Sequence, residues 1–210
     1  MASPVKMAVL VSGGGTTMQY ILDQIKAGVL DATIETVVSS RSDAYALERA
    51  KNNGIPHHAV NRGDFSELAG FNREILGVLG KYDVGLVVLA GFMSLLTPEF
   101  VRRYPNRIVN VHPALIPSFC GEKLYGDHVH QAVLDAGAKL TGCTIHFVDE
   151  IYDHGPIILQ RAVPVLDGDT LETLRARVQA EEKKLYVEAL RLFAEGRLEV
   201  RGRRVFVRDN

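Results

Sequence analysis

The sequence has few cysteines, no tryptophan and no long apolar run. Its two cysteines, Cys120 and Cys143, are too few for a disulfide framework. No stretch approaches the roughly 18 to 20 apolar residues that a membrane-spanning helix needs. The first residues lead directly into a strand-like segment and lack the pattern of a signal peptide. We therefore expect a cytoplasmic protein without a membrane segment.

An excess of one charge is also missing. The 24 Lys and Arg residues are balanced by 25 Asp and Glu residues, so no broad attraction exists for nucleic acid or for an anionic membrane. Cys-x-x-Cys and His-Glu-x-x-His pairs are absent too. A metal site built from Cys120, His128, His130, His146 or His154 is therefore disfavoured.

The sequence does contain a regular alternation of short apolar runs and amphipathic segments. The apolar runs predict strands over residues 5–11, 33–38, 57–60, 84–90 and 107–111. The amphipathic segments predict helices over residues 16–27, 44–53, 65–81 and 98–104. This order indicates an α/β fold with a doubly wound, mainly parallel sheet.

The second half follows a different pattern. Strand-like residues 140–148 and 157–165 are separated by a compact polar stretch without a helix, which predicts antiparallel pairing. Residues 170–194 predict one long amphipathic helix, and residues 197–200 and 205–207 predict a terminal hairpin. No repeat or linker divides the chain, so we expect a single domain over residues 1–210.

A glycine-rich segment, Ser-Gly-Gly-Gly-Thr-Thr at residues 12–17, lies between the first strand and the first helix. Glycines let backbone N–H groups approach an oxyanion, and a helix N-terminus adds favourable partial charge. We therefore expect a bound phosphate; the alternative is a tight turn capped by Thr16 or Thr17. A dinucleotide is disfavoured because Met18 stands where the third glycine of that fingerprint would fall.

Asn110 and His112 lie at the carboxyl end of the predicted fifth strand, where open α/β sheets bind ligands. Residues two apart in a strand face the same way. An amide and an imidazolium suit the oxyanion of an acyl-type transfer, and histidine can also move a proton. The alternative is a hydrogen-bonded pair that closes the end of the sheet.

Three acids, Asp149, Glu150 and Asp153, occupy the polar stretch after residues 140–148. Any of them could orient His112 and favour its charged form. The alternative is an ordinary solvated turn. The residues alone leave the choice among the three acids open.

Four ordered motifs together carry a family resemblance. They are the glycine segment, Ala-Gly-Phe-Met at 90–93, Asn-Val-His-Pro-Ala-Leu-Ile-Pro at 110–117, and Thr-Gly-Cys-Thr-Ile-His-Phe-Val at 141–148 followed by Asp-His-Gly-Pro-Ile-Ile at 153–158. Over residues 5–196 the sequence resembles the phosphoribosylglycinamide formyltransferases of purine biosynthesis. The resemblance implies a Rossmann-like formyltransferase fold. It also implies transfer of the formyl group of 10-formyltetrahydrofolate, a consumed cosubstrate, to the amine of glycinamide ribonucleotide without a metal.

The resemblance also implies site residues. It selects Asp153 as the partner of His112 beside Asn110. The implied substrate-binding residues are Gly14, Gly15, Thr16, Thr17 and Glu182. The implied folate-binding residues are Arg73, Met93, Ser94, Leu95 and Leu96. We therefore expect the single domain to contain a phosphate-binding half at residues 1–105, a folate-binding and catalytic half at residues 106–196, and a hairpin at residues 197–208.

Some positions depart from the family pattern. Thr17 stands where asparagine is frequent, Lys183 where histidine is common and Val187 where proline is expected, and the loop over residues 120–130 is long. A methionyl-tRNA formyltransferase would need a further C-terminal domain and a formyltetrahydrofolate hydrolase a further N-terminal one, so chain length disfavours both. A noncatalytic phosphate-binding module is the other alternative. The expected partners are the two small-molecule substrates, with no nucleic acid, in a monomer or homodimer.

Overall fold

A computed structural model of the chain describes residues 3–121 and 123–209. The order of the described elements is β1 (Val5–Val11), α1 (Thr16–Lys26), β2 (Ala32–Ser39), α2 (Tyr45–Asn52), β3 (His57–Ala59), α3 (Leu68–Leu79), β4 (Leu86–Leu89), α4 (Pro98–Arg103), β5 (Ile108–His112), α5 (Asp127–Asp135), β6 (Leu140–Phe147), β7 (Ile157–Pro164), α6 (Leu171–Ala194), β8 (Leu198–Arg201) and β9 (Arg204–Val207). A 3-10 turn at Arg62–Asp64 precedes α3.

The predicted fold class is confirmed. The described residues form an α/β fold with a mixed, mostly parallel nine-stranded sheet, antiparallel C-terminal strands and a long C-terminal helix. Most predicted element boundaries agree with the observed ones to within a few residues, as expected for helix and strand ends. The chain divides into two compact units, which meet in sequence at Val109 and Asn110.

The first unit has the strand order β3-β2-β1-β4, and all neighbouring strands are parallel. Strand β1 is buried from Met7 to Val11, and β4 is buried throughout. Such continuous apolar runs are typical of parallel strands that are covered on both faces. Helices α1 and α2 pack against β2. The glycine segment follows the carboxyl end of β1, and residues 93–96 follow that of β4.

The second unit contains the predicted antiparallel strands. Strand β6 pairs antiparallel with β7, and the hairpin of β8 and β9 joins β7 through a parallel pairing of Ile157 with Arg204. Helix α6 packs against β6, β7 and α5. It begins at a capping box in which Thr170 and Thr173 each accept a hydrogen bond from the other's backbone N–H.

Helix α5 was not predicted, and it begins inside the loop expected over residues 120–130. Its buried side chains are Val129, His130 and Val133. A buried histidine on the inner face breaks the apolar periodicity that would have revealed the helix.

No described helix is both long and apolar enough to cross a membrane.

Candidate functional site

His112, the last residue of β5, lies beside Asp153. The His112 Nδ1 atom is 3.3 Å from Asp153 Oδ2, and the two side chains are only 3% and 4% exposed. On the opposite side of the ring, His112 Nε2 is 2.8 Å from the carbonyl oxygen of Phe119. Both neighbours of the imidazole are hydrogen-bond acceptors, so both contacts are satisfied only when each ring nitrogen carries a proton. The geometry therefore presents a hydrogen-bond acceptor to each ring nitrogen of His112.

Asn110 contacts a residue that the sequence did not single out for catalysis. Its Nδ2 is 3.3 Å from Nε2 of His146, on β6. The other ring nitrogen of His146, Nδ1, lies 2.9 Å from the Phe147 carbonyl oxygen and donates to it. Burial lowers the pKa of His146. A neutral ring with its proton on Nδ1 leaves Nε2 free to accept from the Asn110 amide, which fixes how that amide is turned.

His146 also connects Asn110 with Asp153, because its Nε2 contacts the Asn110 amide and is 3.9 Å from Asp153 Oδ1. Asn110, His146, Asp153 and His112 thus form one contiguous polar cluster, of which only Asn110 is not fully buried. The strand alternation that drew attention to Asn110 and His112 carries no signal for His146, which reaches the cluster from another strand.

The loop after β6 returns Asp153 to His112 by a close approach at Gly155. A Cβ atom at Gly155 would lie 1.8 Å from the Phe147 carbonyl oxygen, so only glycine fits. Asp153 itself has a positive φ of 51° and accepts a hydrogen bond from Gly121 N. The Asp-His-Gly-Pro motif therefore has a structural reason, since its glycine allows the turn that brings the acid inward.

The other two acids have different positions. Asp149 Oδ2 is 2.7 Å from His154 Nδ1, and its Oδ1 accepts from Ile151 N. Glu150 is exposed. Of the three acids left open by the residues alone, Asp153 is the one that lies against His112.

The chain leaving His112 is held on β6. The Thr144 hydroxyl donates to the Ala114 carbonyl and accepts from Ile116 N, at 2.7 and 3.1 Å. Leu115 packs over Gly142, where a Cβ atom would lie 2.8 Å from its Cδ2. These contacts explain why the motifs at 110–117 and 141–148 occur together, because each supplies the packing partner of the other.

In the first unit, the glycine segment opens α1 without a side-chain cap. Gly15 is the N-cap residue, with a φ of 69°, and no side chain donates or accepts a capping hydrogen bond there. The capping alternative for Thr16 and Thr17 is therefore not observed. Gly13, Gly14 and Thr16 are exposed, and no acidic residue lies in the first turn. Free N–H groups and a positive helix end suit an anion here.

The segment over residues 93–96 is fixed by Asn72, a second residue that the sequence did not single out. Asn72 is buried on α3, donates to the Leu95 carbonyl at 3.2 Å and accepts from Thr97 N at 3.0 Å. Met93 and Leu95 remain exposed, and Met93 N donates to Ser12 Oγ at 2.8 Å. Arg73 lies beside Asn72 on α3, and its Nε donates back to the Ala69 carbonyl.

Met93, Leu95 and the less exposed Ser94 and Leu96 thus form a surface segment after β4. The two exposed apolar side chains offer contact area to an apolar ligand.

Glu182 lies half-buried on α6. Burial raises its pKa to about 7, while neighbouring Lys183 opposes the shift. Burial, and then the charge of Glu182, raise the pKa of the Cys143 thiol on β6 to about 12. A carboxyl group with a pKa strongly raised by burial is a candidate functional-site residue.

Among the described residues, no group of three or more His, Cys, Asp and Glu side chains is arranged to hold a metal ion. His130 is buried with Nδ1 unpartnered in the described part of the chain.

The chain is similar to known formyltransferases along most of its length. A family model described as formyl transferase matches residues 5–190. Phosphoribosylglycinamide formyltransferase of Escherichia coli is 38% identical over 92% of this chain and 89% of its own length. The chloroplastic phosphoribosylglycinamide formyltransferase of Arabidopsis thaliana is 43% identical over 93% of this chain and 68% of its own length. The crystal structure of glycinamide ribonucleotide transformylase 1 from Symbiobacterium toebii is 44% identical, with a TM-score of 0.93 over 100% of this chain and 96% of that one.

Proposed function

Since the chain belongs to the phosphoribosylglycinamide formyltransferases, we infer that it is a formyltransferase of purine biosynthesis. This family uses a formyl-folate donor. We propose that the donor is 10-formyltetrahydrofolate and that the acceptor is the primary amine of glycinamide ribonucleotide. The reaction would give formylglycinamide ribonucleotide and tetrahydrofolate.

The observation that carries the catalytic assignment is the His112 ring between two acceptors, Asp153 Oδ2 at 3.3 Å and the Phe119 carbonyl at 2.8 Å. Asp153 favours and orients the imidazolium through Nδ1. Nε2 is then the N–H available to a substrate. An oxyanion that replaces the Phe119 carbonyl would accept the same proton at the same distance, which requires the segment carrying Phe119 to move aside.

The proposed chemistry follows from these donors. The substrate amine nitrogen attacks the formyl carbon, a C–N bond forms, and the carbonyl oxygen becomes an oxyanion. The Asn110 Nδ2–H and the His112 Nε2–H stabilise that oxyanion. Collapse of the intermediate breaks the bond to folate N10. His112 gives its Nε2 proton to that nitrogen, and the proton lost by the attacking amine returns to His112, so no net proton is gained or lost.

The remaining residues would bind the two substrates. Gly14, Gly15, Thr16 and Thr17 would hold the phosphate through N–H and hydroxyl donors. Glu182 would accept hydrogen bonds from the ribonucleotide. The folate would lie along Arg73, Met93, Ser94, Leu95 and Leu96, where exposed apolar side chains offer contact to its rings. The expected cytoplasmic location and the monomeric or dimeric state stay predictions.

A spectrophotometric assay with glycinamide ribonucleotide and 10-formyl-dideazafolate tests this function. Release of the deformylated folate should depend on the ribonucleotide and should match formation of the formylated product. Folate release by well-folded protein without the ribonucleotide would instead support the hydrolase alternative. Absence of release under both conditions would leave the formyl-transfer proposal without support.

A further inference from the structure

Helix α2 holds two successive carbonyl groups of the glycine segment. Ala46 N, in the first turn of α2, donates to the Gly13 carbonyl at 3.1 Å. One turn later, Arg49 Nε donates to the Gly14 carbonyl at 2.8 Å. The segment is therefore fixed from the side of α2 by one backbone donor and one side-chain donor.

Because the peptide bond is planar, holding the two carbonyl groups also fixes the direction of the N–H groups of Gly14 and Gly15. In a trans peptide, the C=O and N–H bonds point in opposite directions. Because the Gly13 and Gly14 carbonyls point towards α2, the N–H groups of Gly14 and Gly15 point away from it. Neither N–H donates to any group in residues 3–121 and 123–209. Two aligned, unused donors suit an oxyanion.

The glycine segment also packs closely against α2, and the Arg49 side chain is held by a second contact. A Cβ atom at Gly15 would lie 2.6 Å from Ala46 Cβ, so the segment sits directly on α2. The Arg49 guanidinium lies over the Tyr45 ring, 4.9 Å from its centroid, which limits its rotamers. The charged donor thus makes a strong hydrogen bond to the Gly14 carbonyl.

We propose that Arg49 is a positioning residue for the substrate phosphate. By holding the Gly14 carbonyl, it aims the Gly15 N–H at the phosphate ester, and it does so through the peptide plane without contacting the ligand. This inference rests on the proposed function of the glycine segment. It predicts that the donor atom of residue 49 matters more than its charge.

Two substitutions separate the donor from the charge. Arg49→Met keeps an unbranched side chain as far as the position of Nε and removes both the donor and the charge. Arg49→Gln removes the charge but keeps an N–H donor the same number of bonds from Cα as Nε. Lys51→Met, an exposed position on the same helix, is the matched charge control.

Steady-state assays should show that Arg49→Met raises the KM for glycinamide ribonucleotide about 10-fold, the loss of one charge-assisted hydrogen bond. We expect kcat and the KM for the folate to stay within twofold. Arg49→Gln should recover most of the affinity, and Lys51→Met should behave as wild type. The KM for the riboside lacking the phosphate should not change in any variant.

Several results would overturn the proposal. One is a KM for glycinamide ribonucleotide within twofold of wild type in Arg49→Met. Another is a Gln variant as weak as the Met variant, which would make the charge decisive. An equal loss for ribonucleotide and riboside would indicate general damage. If the wild-type protein does not turn over glycinamide ribonucleotide, the proposed function fails. Calorimetry with inorganic phosphate still tests Arg49, because Arg49→Met should bind phosphate more weakly than Arg49→Gln, and Lys51→Met should bind it as wild type does.

Discussion

Asp153 Oδ2 lies 3.3 Å from His112 Nδ1, and the two groups are separated by 41 positions in the sequence and nearly excluded from solvent. The Asp153 carboxylate faces Nδ1 of the His112 ring, and the other ring nitrogen, Nε2, faces the Phe119 carbonyl. This arrangement makes the acid of the pair directly testable, because other acids stand in the same loop.

Asp153→Asn should lower kcat by about 100-fold or more, since the amide no longer favours the His112 imidazolium. The fold should survive, because asparagine tolerates the positive φ of this position. Asp149→Asn is the matched control in the same loop and should keep wild-type kcat. Equal kcat values for the two variants would contradict the assignment. Steady-state rates together with melting curves provide the measurement.

The His146 ring gives a spectroscopic prediction. We expect its ¹⁵N chemical shifts at neutral pH to report a neutral ring with the proton on Nδ1, because burial lowers its pKa and Nδ1 donates to the Phe147 carbonyl. Asn110→Asp should raise the pKa of His146 through the new charge beside Nε2. The same substitution removes an oxyanion donor and should lower kcat about 100-fold. A proton on Nε2 of wild-type His146 would show that the Asn110 amide is not oriented as proposed.

Gly155→Ala tests the close approach that returns Asp153 to His112. Its φ is not positive, so the cost is steric only, from a Cβ atom 1.8 Å from the Phe147 carbonyl. We expect a loss of about 3 kcal/mol or more in the free energy of unfolding. Gly168→Ala is the control, because nothing lies within 4 Å of its added Cβ atom; it should be neutral or slightly stabilising. Denaturant unfolding measures both stabilities, and similar values for the two variants would contradict the close approach of Gly155 to the Phe147 carbonyl.

Glu182 gives a pH-dependent prediction. Its pKa rises from an ordinary 4.5 to about 7 on folding. Between these values the folded state binds more protons than the unfolded state, so stability falls as pH rises and the penalty is complete above about pH 7. Glu182→Gln should therefore be more stable than wild type at about pH 8, by about 1 to 3 kcal/mol, and should lose this advantage below about pH 4.5. Its KM for glycinamide ribonucleotide should rise.

Glu181→Gln is the control for that comparison. Lys184, and then Arg161, lower the pKa of Glu181, so its removal should destabilise the protein slightly at about pH 8. Thermal unfolding of both variants across this pH range shows whether Glu182→Gln raises the stability and Glu181→Gln lowers it. A Glu182→Gln variant that is less stable than wild type at about pH 8 would show that the carboxylate is stabilised in the fold.

Much of the fold follows from local pattern. The apolar run of β1 and the long amphipathic segment of α6 predict their elements, since strand and helix periods are written in neighbouring residues. Helix α5 escaped prediction because buried His130 stands where an apolar side chain was expected. The burial of His130 depends on residues distant in sequence, so the local pattern of apolar residues does not predict it.

The sequence by itself determined the order of the elements other than α5, the glycine segment after β1 and the shared strand of Asn110 and His112, because these depend on residues a few positions apart. The family resemblance then selected Asp153 among three acids. Only the tertiary structure decided that Asp153 lies against His112, that His146 holds the Asn110 amide, and that Arg49 holds the Gly14 carbonyl. These are contacts between residues more than 30 positions apart, and they exist only because packing of the intervening elements returns the chain to the same point.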